Sequence, residues 1–284
     1  MQSPTPLHIR AMQQHELSTG LDWAAAEGWN PGLHDASSFY ATDPAGFLLA
    51  QLHGQPVGMV SAVRYGSRFG FIGFYIVLPA YRGHGYGLAL WNAAMARLHG
   101  RLVGLDGVVA QQANYRKSGF ALAHNNLRMQ GQSRTAQPLH PGIVPLADVA
   151  WHRLLRYDSA AFPCPRATFL QHWVQQRGSK ALALVQAGTL QGYGVIRPCR
   201  TGYKIGPLFA DDSSAARHLF NALTAQLPAG TQLQMDITAH HQAARALTHA
   251  LGFECVFETA RMYTGPAPQY KLERQFGIST FELG

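Results

Sequence analysis

The chain has 284 residues, a formal net charge of +8 and only 13% charged residues. At roughly 150 residues per domain, this length predicts about two domains. Hydrophobic residues make up 47% of the chain, which suits packed cores and excludes a disordered protein. The apolar runs are far shorter than the roughly 20 residues of a transmembrane helix. Residues 1–10 do not resemble a signal peptide, so we expect a soluble cytoplasmic protein.

The cysteine and histidine patterns argue against a disulfide framework and a metal site. Cys164, Cys199 and Cys255 lie far apart and show no CxxC spacing. The 14 histidines include no HExxH motif, and the adjacent pair His240-His241 is interpreted as a helix start. We therefore expect free thiols and no metal ion.

The surplus of positive charge indicates an anionic partner. The basic residues are scattered along the chain, and none of the common nucleic-acid motifs occurs. The favoured partner is therefore an anionic small molecule, with no nucleic acid and no membrane. The sequence leaves the oligomeric state open.

Hydrophobic periodicity predicts alternating helices and strands in the first half. The predicted elements are a strand at 7–12, helices at 14–28 and 35–40, strands at 47–52, 57–65 and 69–78, a helix at 88–99, a strand at 102–109, a helix at 111–118 and a strand at 120–129 that ends this half. Turn residues separate the three middle strands, which indicates an antiparallel meander. Residues 131–141 are polar and contain two prolines, which is typical of a linker.

The second half repeats this order of elements. Helices are predicted at 147–157 and 166–177, strands at 181–186, 190–197 and 202–208, a helix at 213–226, a strand at 232–238, a helix at 240–251, a strand pair opening at Gly252-Phe253, and a tail from 266. Gly54 and Gly58 recur as Gly188 and Gly192, 134 residues later, and Gly119-Phe120 recurs 133 residues later. These matches predict a duplicated fold.

One segment between a predicted strand and a predicted helix indicates an anion site. It reads Val77-Leu78-Pro79-Ala80-Tyr81-Arg82-Gly83-His84-Gly85-Tyr86-Gly87. Glycines allow the backbone to approach a ligand, and successive amides at a helix N-terminus bind anions. Arg82 adds a permanent positive charge, so the pattern favours a pyrophosphate. The segment lacks the lysine of a Walker loop, and its GxGxG spacing differs from the dinucleotide pattern.

This segment resembles the pyrophosphate loop of the GNAT N-acetyltransferases, V-x-P-x-x-[RQ]-G-x-G-x-[GA], at every fixed position. The order of the flanking elements is also similar to that of the GNAT domain. The resemblance implies an α/β (α+β) protein of two tandem GNAT folds, each a mixed, mostly antiparallel sheet flanked by helices. It implies a catalytic acetyl-CoA-binding domain at 1–132 and a degenerate GNAT-like domain with a C-terminal tail at 140–284.

The resemblance also implies the residues that bind acetyl-CoA. Ile76 and Val77 are expected to pair with the pantetheine arm, and the amides of residues 83–88 to hold the pyrophosphate. The full set of expected acetyl-CoA-binding residues is Ile76, Val77, Arg82, Gly83, His84, Gly85, Tyr86, Gly87, Leu88 and Asn114. Tyr115 stands where the family often has the acid that protonates the departing CoA thiolate. The alternative for Tyr115 is an aromatic that only closes the helix against the sheet.

The base and the acceptor pocket are less defined. The strand at 69–77 has no carboxylate where some family members carry one. Asp106, on the next strand, is the candidate catalytic base, and a water chain or a purely structural Asp106 are the alternatives. Trp29, Asn30, Asp35 and Phe39 are the candidate substrate-binding residues, because the family's two opening helices meet beside the acceptor. The alternative there is a tight helix–helix turn with a packed tryptophan.

The second half lacks the loop. Asp211 and Asp212 replace Arg82 and Gly83, and Thr248 replaces Tyr115. Two carboxylates at a helix start stabilise it but repel a pyrophosphate, so no acetyl-CoA is expected there. The whole chain resembles bacterial tandem-GNAT proteins, notably at residues 28–32, 105–108 and 276–284.

These observations predict an acetyl-CoA-dependent N-acetyltransferase that transfers the acetyl group to a primary amine of a small molecule by direct attack on the thioester. Two alternatives stay open. One is a non-catalytic acyl-CoA-binding or regulatory protein, and the other is a protein N-acetyltransferase.

Overall fold

The computed structural model describes residues 7–284. The first half contains β1 His8–Ala11, α1 Leu17–Ala26, α2 Asp35–Thr42, β2 Phe47–Leu52, β3 Gln55–Tyr65, β4 Phe69–Val77, α3 Tyr86–Arg97, β5 Leu102–Val108, α4 Gln112–Lys117 and β6 Ala121–Gln132. The second half contains β7 Ile143–Pro145, α5 Trp151–Ala160, α6 Ala167–Val174, β8 Lys180–Gln186, β9 Thr189–Pro198, β10 Tyr203–Ala210, α7 Ser213–Thr224, β11 Gln232–Thr238, α8 Gln242–Ala250, β12 Glu254–Tyr263 and β13 Gln275–Gly277. The predicted mixed α/β class with flanking helices is confirmed.

The main differences from the predicted elements lie at the junction of the halves. β6 continues to Gln132, inside the predicted linker, because it pairs with β11 over the whole stretch 126–132. β7 is only three residues long, which is too short for an alternation pattern to reveal. After Gly252-Phe253 a single long strand, β12, follows instead of a strand pair.

All strands of residues 7–284 belong to one sheet, in the order β1-β2-β3-β4-β5-β12-β6-β11-β10-β9-β8-β7, with β13 added to β10. Within residues 7–284, the parallel pairs are β4 with β5 and β10 with β11, so the sheet is mostly antiparallel. The topology also shows where β6, the last strand of the first half, finds its partners. β6 pairs with β11 and β12, and β12 takes the place beside β5. Each half therefore supplies the last strand of the other's sheet, and a domain boundary between 132 and 140 stays a prediction.

Apolar packing also joins the halves. The Phe39 ring on α2 stacks on Trp173 of α6 at 5.7 Å between centroids, and both rings are fully buried. Phe169 extends the stack at 5.0 Å from Trp173. Truncating such an aromatic core residue costs about 3–5 kcal/mol. The helices of the two halves therefore share one core.

Buried ion pairs cross the same junction. Arg197 Nε lies 2.9 Å from Asp35 Oδ1, and Arg128 Nε lies 2.8 Å from Asp236 Oδ1. A third pair joins Asp106 of β5 to Arg261 of β12. Removing one partner of a buried pair costs about 3–5 kcal/mol, because the other charge is left uncompensated. Each pair therefore fixes one half against the other.

In the described part of the chain, no helix is long and apolar enough to cross a membrane. Likewise, residues 7–284 contain no cluster of three or more side chains suited to a metal ion. All three cysteines are free thiols.

Candidate active site

The candidate site is a cavity of about 500 Å³ between β4 and β5. The two strands pair in parallel from Phe69–Leu102 to Ile72–Leu105 and separate beyond that point. A bulge at Phe74, whose φ of 44° is unusual for a residue other than glycine, interrupts the pairing of β4 with β3. Residues 73–77 thus present a strand edge without a strand partner to the cavity. An extended ligand can pair with such an edge.

The loop after β4 leads into α3. Gly83 and Gly85 have φ values of 81° and 83°, a conformation that glycine adopts without strain. Gly85 is the N-cap of α3. Among residues 7–284, no group accepts a hydrogen bond from the amides of 83–88. Six consecutive free amides at a helix N-terminus form an anion site.

Gly87 has an ordinary φ, but the Tyr75 side chain lies close to it. A Cβ at this position would lie 2.7 Å from the Tyr75 hydroxyl. The Arg82 guanidinium is also fixed: Nε donates to the Val77 carbonyl at 2.8 Å, and Nη2 donates to Glu27 at 2.5 Å. The loop is thereby tied both to β4 and to the end of α1.

His84, Tyr86 and Leu88 complete the predicted loop. His84 Nδ1 contacts the Arg82 carbonyl at 2.9 Å, and its ring stacks on Tyr86 at 5.8 Å. Leu88 is exposed. Ile76 and Val77 line the cavity, as the predicted pantetheine contact requires.

Tyr115 lies on α4 and faces the cavity. Its ring covers Gly107 so closely that a Cβ there would lie 2.2 Å from it. Trp91 packs against the ring at 5.5 Å. The Tyr115 hydroxyl makes no hydrogen bond to any of residues 7–284, and only 8% of the residue is exposed. Burial, together with nearby Tyr75, raises the pKa of Tyr115 to about 12, so the phenol is protonated at neutral pH and able to donate.

Asn114, predicted beside Tyr115, does not line the cavity. Its side chain donates to Gln111 at 2.7 Å on the exposed side of α4. Gln111 lines the cavity instead.

Asp106 lines the cavity, but both its oxygens are engaged. Arg261 donates to Oδ1 at 2.7 Å and to Oδ2 at 2.6 Å, and Asn126 donates to Oδ1 at 2.8 Å. Burial raises the pKa of the Asp106 carboxyl, and the Arg261 charge opposes that rise. These contacts are those of a structural carboxylate that joins β5 to β12.

Of the four predicted substrate-binding residues, the cavity is lined by Trp29. Asn30 instead contacts Thr201 and Gln234, both of the second half. Asp35 pairs with Arg197, and Phe39 lies in the core. The turn between α1 and α2 packs on the second half, which explains why these three residues do not face the cavity.

The rest of the cavity wall comes from Trp29 and from residues that the sequence did not point to. We call it the acceptor end, and it comprises Glu27, Trp29, Arg128, Phe257, Thr259, Phe281 and Glu282. β12 supplies two of these residues and the tail supplies two more. The residues of β12 and of the tail come from parts of the chain that are distant in sequence from β4 and β5.

The second half has no corresponding cavity loop. The Asp212 side chain accepts from the Ala215 amide at 2.8 Å and caps α7, while Asp211 accepts from the Tyr157 hydroxyl. The Thr248 hydroxyl bonds within its own helix. β10 and β11 pair only at 203–205 and then separate, and β13 fills the gap by pairing with β10. The chain itself thus occupies the place of a ligand.

Comparison with known proteins agrees with this architecture. The model of the acetyltransferase (GNAT) family matches residues 11–120, and that of an acetyltransferase (GNAT) domain matches residues 154–277. Holothin acyltransferase of Pseudoalteromonas sp. is 33% identical over 286 residues, covering 97% of each chain.

Solved structures share the fold. A putative acetyltransferase from Pyrococcus horikoshii superposes with a TM-score of 0.82 at 22% identity, covering 98% of this chain and 96% of that one. A tandem GNAT protein from the clavulanic acid biosynthesis pathway gives 0.64 at 14% identity, covering 92% and 100%. A GNAT from Sphaerobacter thermophilus gives 0.60 at 13% identity, covering 96% of each. With the acyltransferase relative matched along nearly its whole length, the chain belongs to the GNAT acetyltransferase family and carries two GNAT domains in tandem.

Proposed function

We propose that the protein is an acetyl-CoA-dependent N-acetyltransferase that acts on a primary amine of a small molecule. One observation carries this proposal: the free amides of residues 83–88 directly follow Arg82, which lines the cleft, and Tyr115, whose hydroxyl is unbonded, lines the same cleft. An anion site and a proton donor along one unpaired strand edge suit an acyl-CoA thioester.

The described residues offer contacts to the pyrophosphate and to the pantetheine of acetyl-CoA. The amides of 83–88 would hold the pyrophosphate, and the free edge of β4 at 73–77 would pair with the pantetheine amides. The space beside Gly83 and Gly85 is open, so nothing in the loop blocks an anion. In this proposal residues 1–132 carry the acetyl-CoA site, and residues 140–284 complete the acceptor end.

The chemistry is direct transfer. The amine nitrogen attacks the thioester carbonyl carbon, a C–N bond forms, and the C–S bond breaks. The departing thiolate takes a proton from the Tyr115 hydroxyl, and the nitrogen loses one. A protonated phenol beside the sulfur lowers the barrier for thiolate departure, and the raised pKa of Tyr115 keeps it protonated.

The enclosure of the site supports a small acceptor. Phe281 and Glu282 cover the acceptor end and are nearly inaccessible. A side chain on a folded protein would have to displace them, whereas a small amine would not. The relative named for acyl transfer to holothin supports acyl transfer as the reaction class.

Calorimetric titration tests the donor. We expect saturable binding of acetyl-CoA, weakened at least about tenfold in Gly85→Ala, because a Cβ at this φ distorts the loop. Gly54→Ala is the matched control: its φ of 77° is similar, its surroundings are equally open, and it lies in a hairpin turn after β2. Equal affinity of the two variants, or no binding by the unaltered protein, contradicts the proposal. CoA release with primary amines then separates an enzyme from a protein that only binds acyl-CoA.

A further inference from the structure

The charged side chains at the acceptor end are unequally paired. Arg82 is paired with Glu27, and Arg128 donates through two nitrogens to Asp236 at 2.8 Å each. Arg128 Nη1 also donates to the Trp29 carbonyl at 2.6 Å. Glu27 and Arg128, two of the three charged side chains at this end, are therefore committed to protein partners.

Glu282 is the exception. Only 5% of the residue is exposed, and its Oε2 accepts from the Thr280 hydroxyl, whose oxygen in turn accepts from the Glu282 amide at 3.2 Å. Among residues 7–284, no group donates to Oε1, and this atom is not enclosed by protein. A carboxylate oriented by its own tail thus keeps one oxygen available to the cavity.

Three basic side chains lie near Glu282. Arg128 of β6, Arg197 of β9 and Lys204 of β10 act on it electrostatically. Asp236 and Asp35 neutralise the two arginines, while Lys204 donates to the Trp29 carbonyl at 3.4 Å. Each of these three basic groups thus has a protein partner, which leaves Glu282 Oε1 free to meet an amine.

The other walls of the acceptor end are aromatic. Trp29, Phe257 and Phe281 line it, and the Arg128 guanidinium lies 5.0 Å from the Phe281 ring centroid on the side already paired with Asp236. Aromatic walls favour flat apolar groups, because pairs of rings attract each other beyond the effect of the area they bury.

We propose that Glu282 receives the amino group of the acceptor and takes its proton, and that the acceptor is a primary amine with a flat, apolar body held among Trp29, Phe257 and Phe281. This inference rests on the proposed acetyl transfer and names its substrate class. It also supplies the base that the strand at 69–77 lacks, from a segment at the other end of the chain.

The proton balance is as follows. The ammonium form gives one proton to Glu282, which passes it to solvent, and the neutral nitrogen attacks the thioester carbon. The nitrogen loses a second proton after attack, which balances the proton that Tyr115 gives to the sulfur. The products are the N-acetyl amide and CoA as thiol.

The test uses the full chain, acetyl-CoA and 2-phenylethylamine, with kcat/KM for CoA release measured at about pH 6.5 and about pH 9.5. In Glu282→Gln we expect a loss of at least about 100-fold at the lower pH, the range of general-base effects. At the higher pH, where free amine is present in solution, we expect a much smaller loss. A merely structural role would lower the rate equally at both pH values. Glu282→Asp, which keeps the carboxylate, should recover part of the rate, and exposed Glu254→Gln on β12 is the control.

Acetyl-CoA affinity and thermal unfolding are measured on each variant, so that misfolding is recognised independently of turnover. L-Glutamate serves as an amine with a charged, non-planar body, and we expect at least a tenfold lower kcat/KM for it.

Two failures are distinguishable. If the unaltered protein binds no acetyl-CoA or releases no CoA with any amine, the proposed function falls and this inference with it. Suppose instead that turnover occurs but the kcat/KM of Glu282→Gln equals that of the unaltered protein at both pH values, or that Glu27→Gln shows the pH-dependent loss. Then only the assignment of Glu282 as the base is overturned.

Discussion

Replacing Arg261 with methionine distinguishes a structural Asp106 from a catalytic one. Arg261 donates to both oxygens of Asp106, and the two side chains are 4% and 0% exposed. The substitution leaves a buried carboxylate without its counter-ion, which costs about 3–5 kcal/mol. At roughly 2–4 °C per kcal/mol for a chain of this size, the melting temperature should fall by at least about 6 °C.

The double variant Asp106→Leu with Arg261→Met removes both charges together. We expect most of the lost stability to return, because a pair of apolar side chains leaves no uncompensated charge. The exposed pair of Arg200 and Asp22 is the control, with side chains 47% and 59% exposed. Arg200→Met should change the free energy of unfolding by less than about 1 kcal/mol.

Thermal unfolding and CoA release with a primary amine are measured on all variants. If Asp106 has only a structural role, the double variant should regain stability, and its rate of acetyl transfer should stay within about tenfold of that of the unaltered protein. A double variant that is as stable as the unaltered protein, yet at least about 100-fold slower, would show that Asp106 is the base. That result would refute the structural interpretation of its contacts.

Three further predictions follow from the site and its surroundings. Tyr115→Phe should lower kcat by about 100-fold or more while acetyl-CoA affinity in calorimetry changes little, and equal kcat would remove Tyr115 from the mechanism. Because the pKa of Tyr115 is raised to about 12, its ionisation should not reduce kcat near pH 10, where an ordinary tyrosine titrates; a tyrosine-dependent decline at that pH would contradict its burial. Burial lowers the pKa of His124 to about 3. Between about pH 6.5 and pH 3 the unfolded chain therefore binds a proton at this histidine that the folded chain does not bind. The free energy of unfolding consequently decreases as the pH falls through this range. Between pH 7 and pH 4.5 urea unfolding should show a loss of about 2–3 kcal/mol from this group, which His124→Gln abolishes.

The sequence was sufficient to predict the glycine-rich loop and the strands around the cleft of the first half. The Gly83 and Gly85 positions, the meander of β2 to β4 and the placement of Tyr115 follow from local patterns of turn residues and periodicity. His241 caps α8 as its position before a helix predicted, with Nδ1 accepting from the Ala244 amide. Each of these features depends on residues close together in the chain.

The acceptor end could not be predicted in the same way. Asn30, Asp35 and Phe39 belong to the turn and helix expected beside the acceptor, but each of them contacts the second half instead and lies at the junction of the halves. Phe281 and Glu282 reach the cavity from the tail, more than 200 residues from β4. Alternation of apolar residues predicts that a strand exists but does not specify which strand it pairs with. When two strands are this far apart in the chain, tertiary packing determines whether they pair.

The exchange of β6 and β12 has a consequence for the order of folding during synthesis. When the ribosome has released only residues 1–132, β5 has no neighbour on its outer edge, since that neighbour is β12 at 254–263. β6 is likewise without β11 and β12, its two partners. An unpaired strand edge readily pairs with other chains, and contacts between distant segments form slowly. The first half can therefore complete its strand pairing only after almost the whole chain has been synthesised. Until then its unpaired strand edges stay exposed to chaperones for a long time. Separate expression of either half is therefore a poor route to active protein.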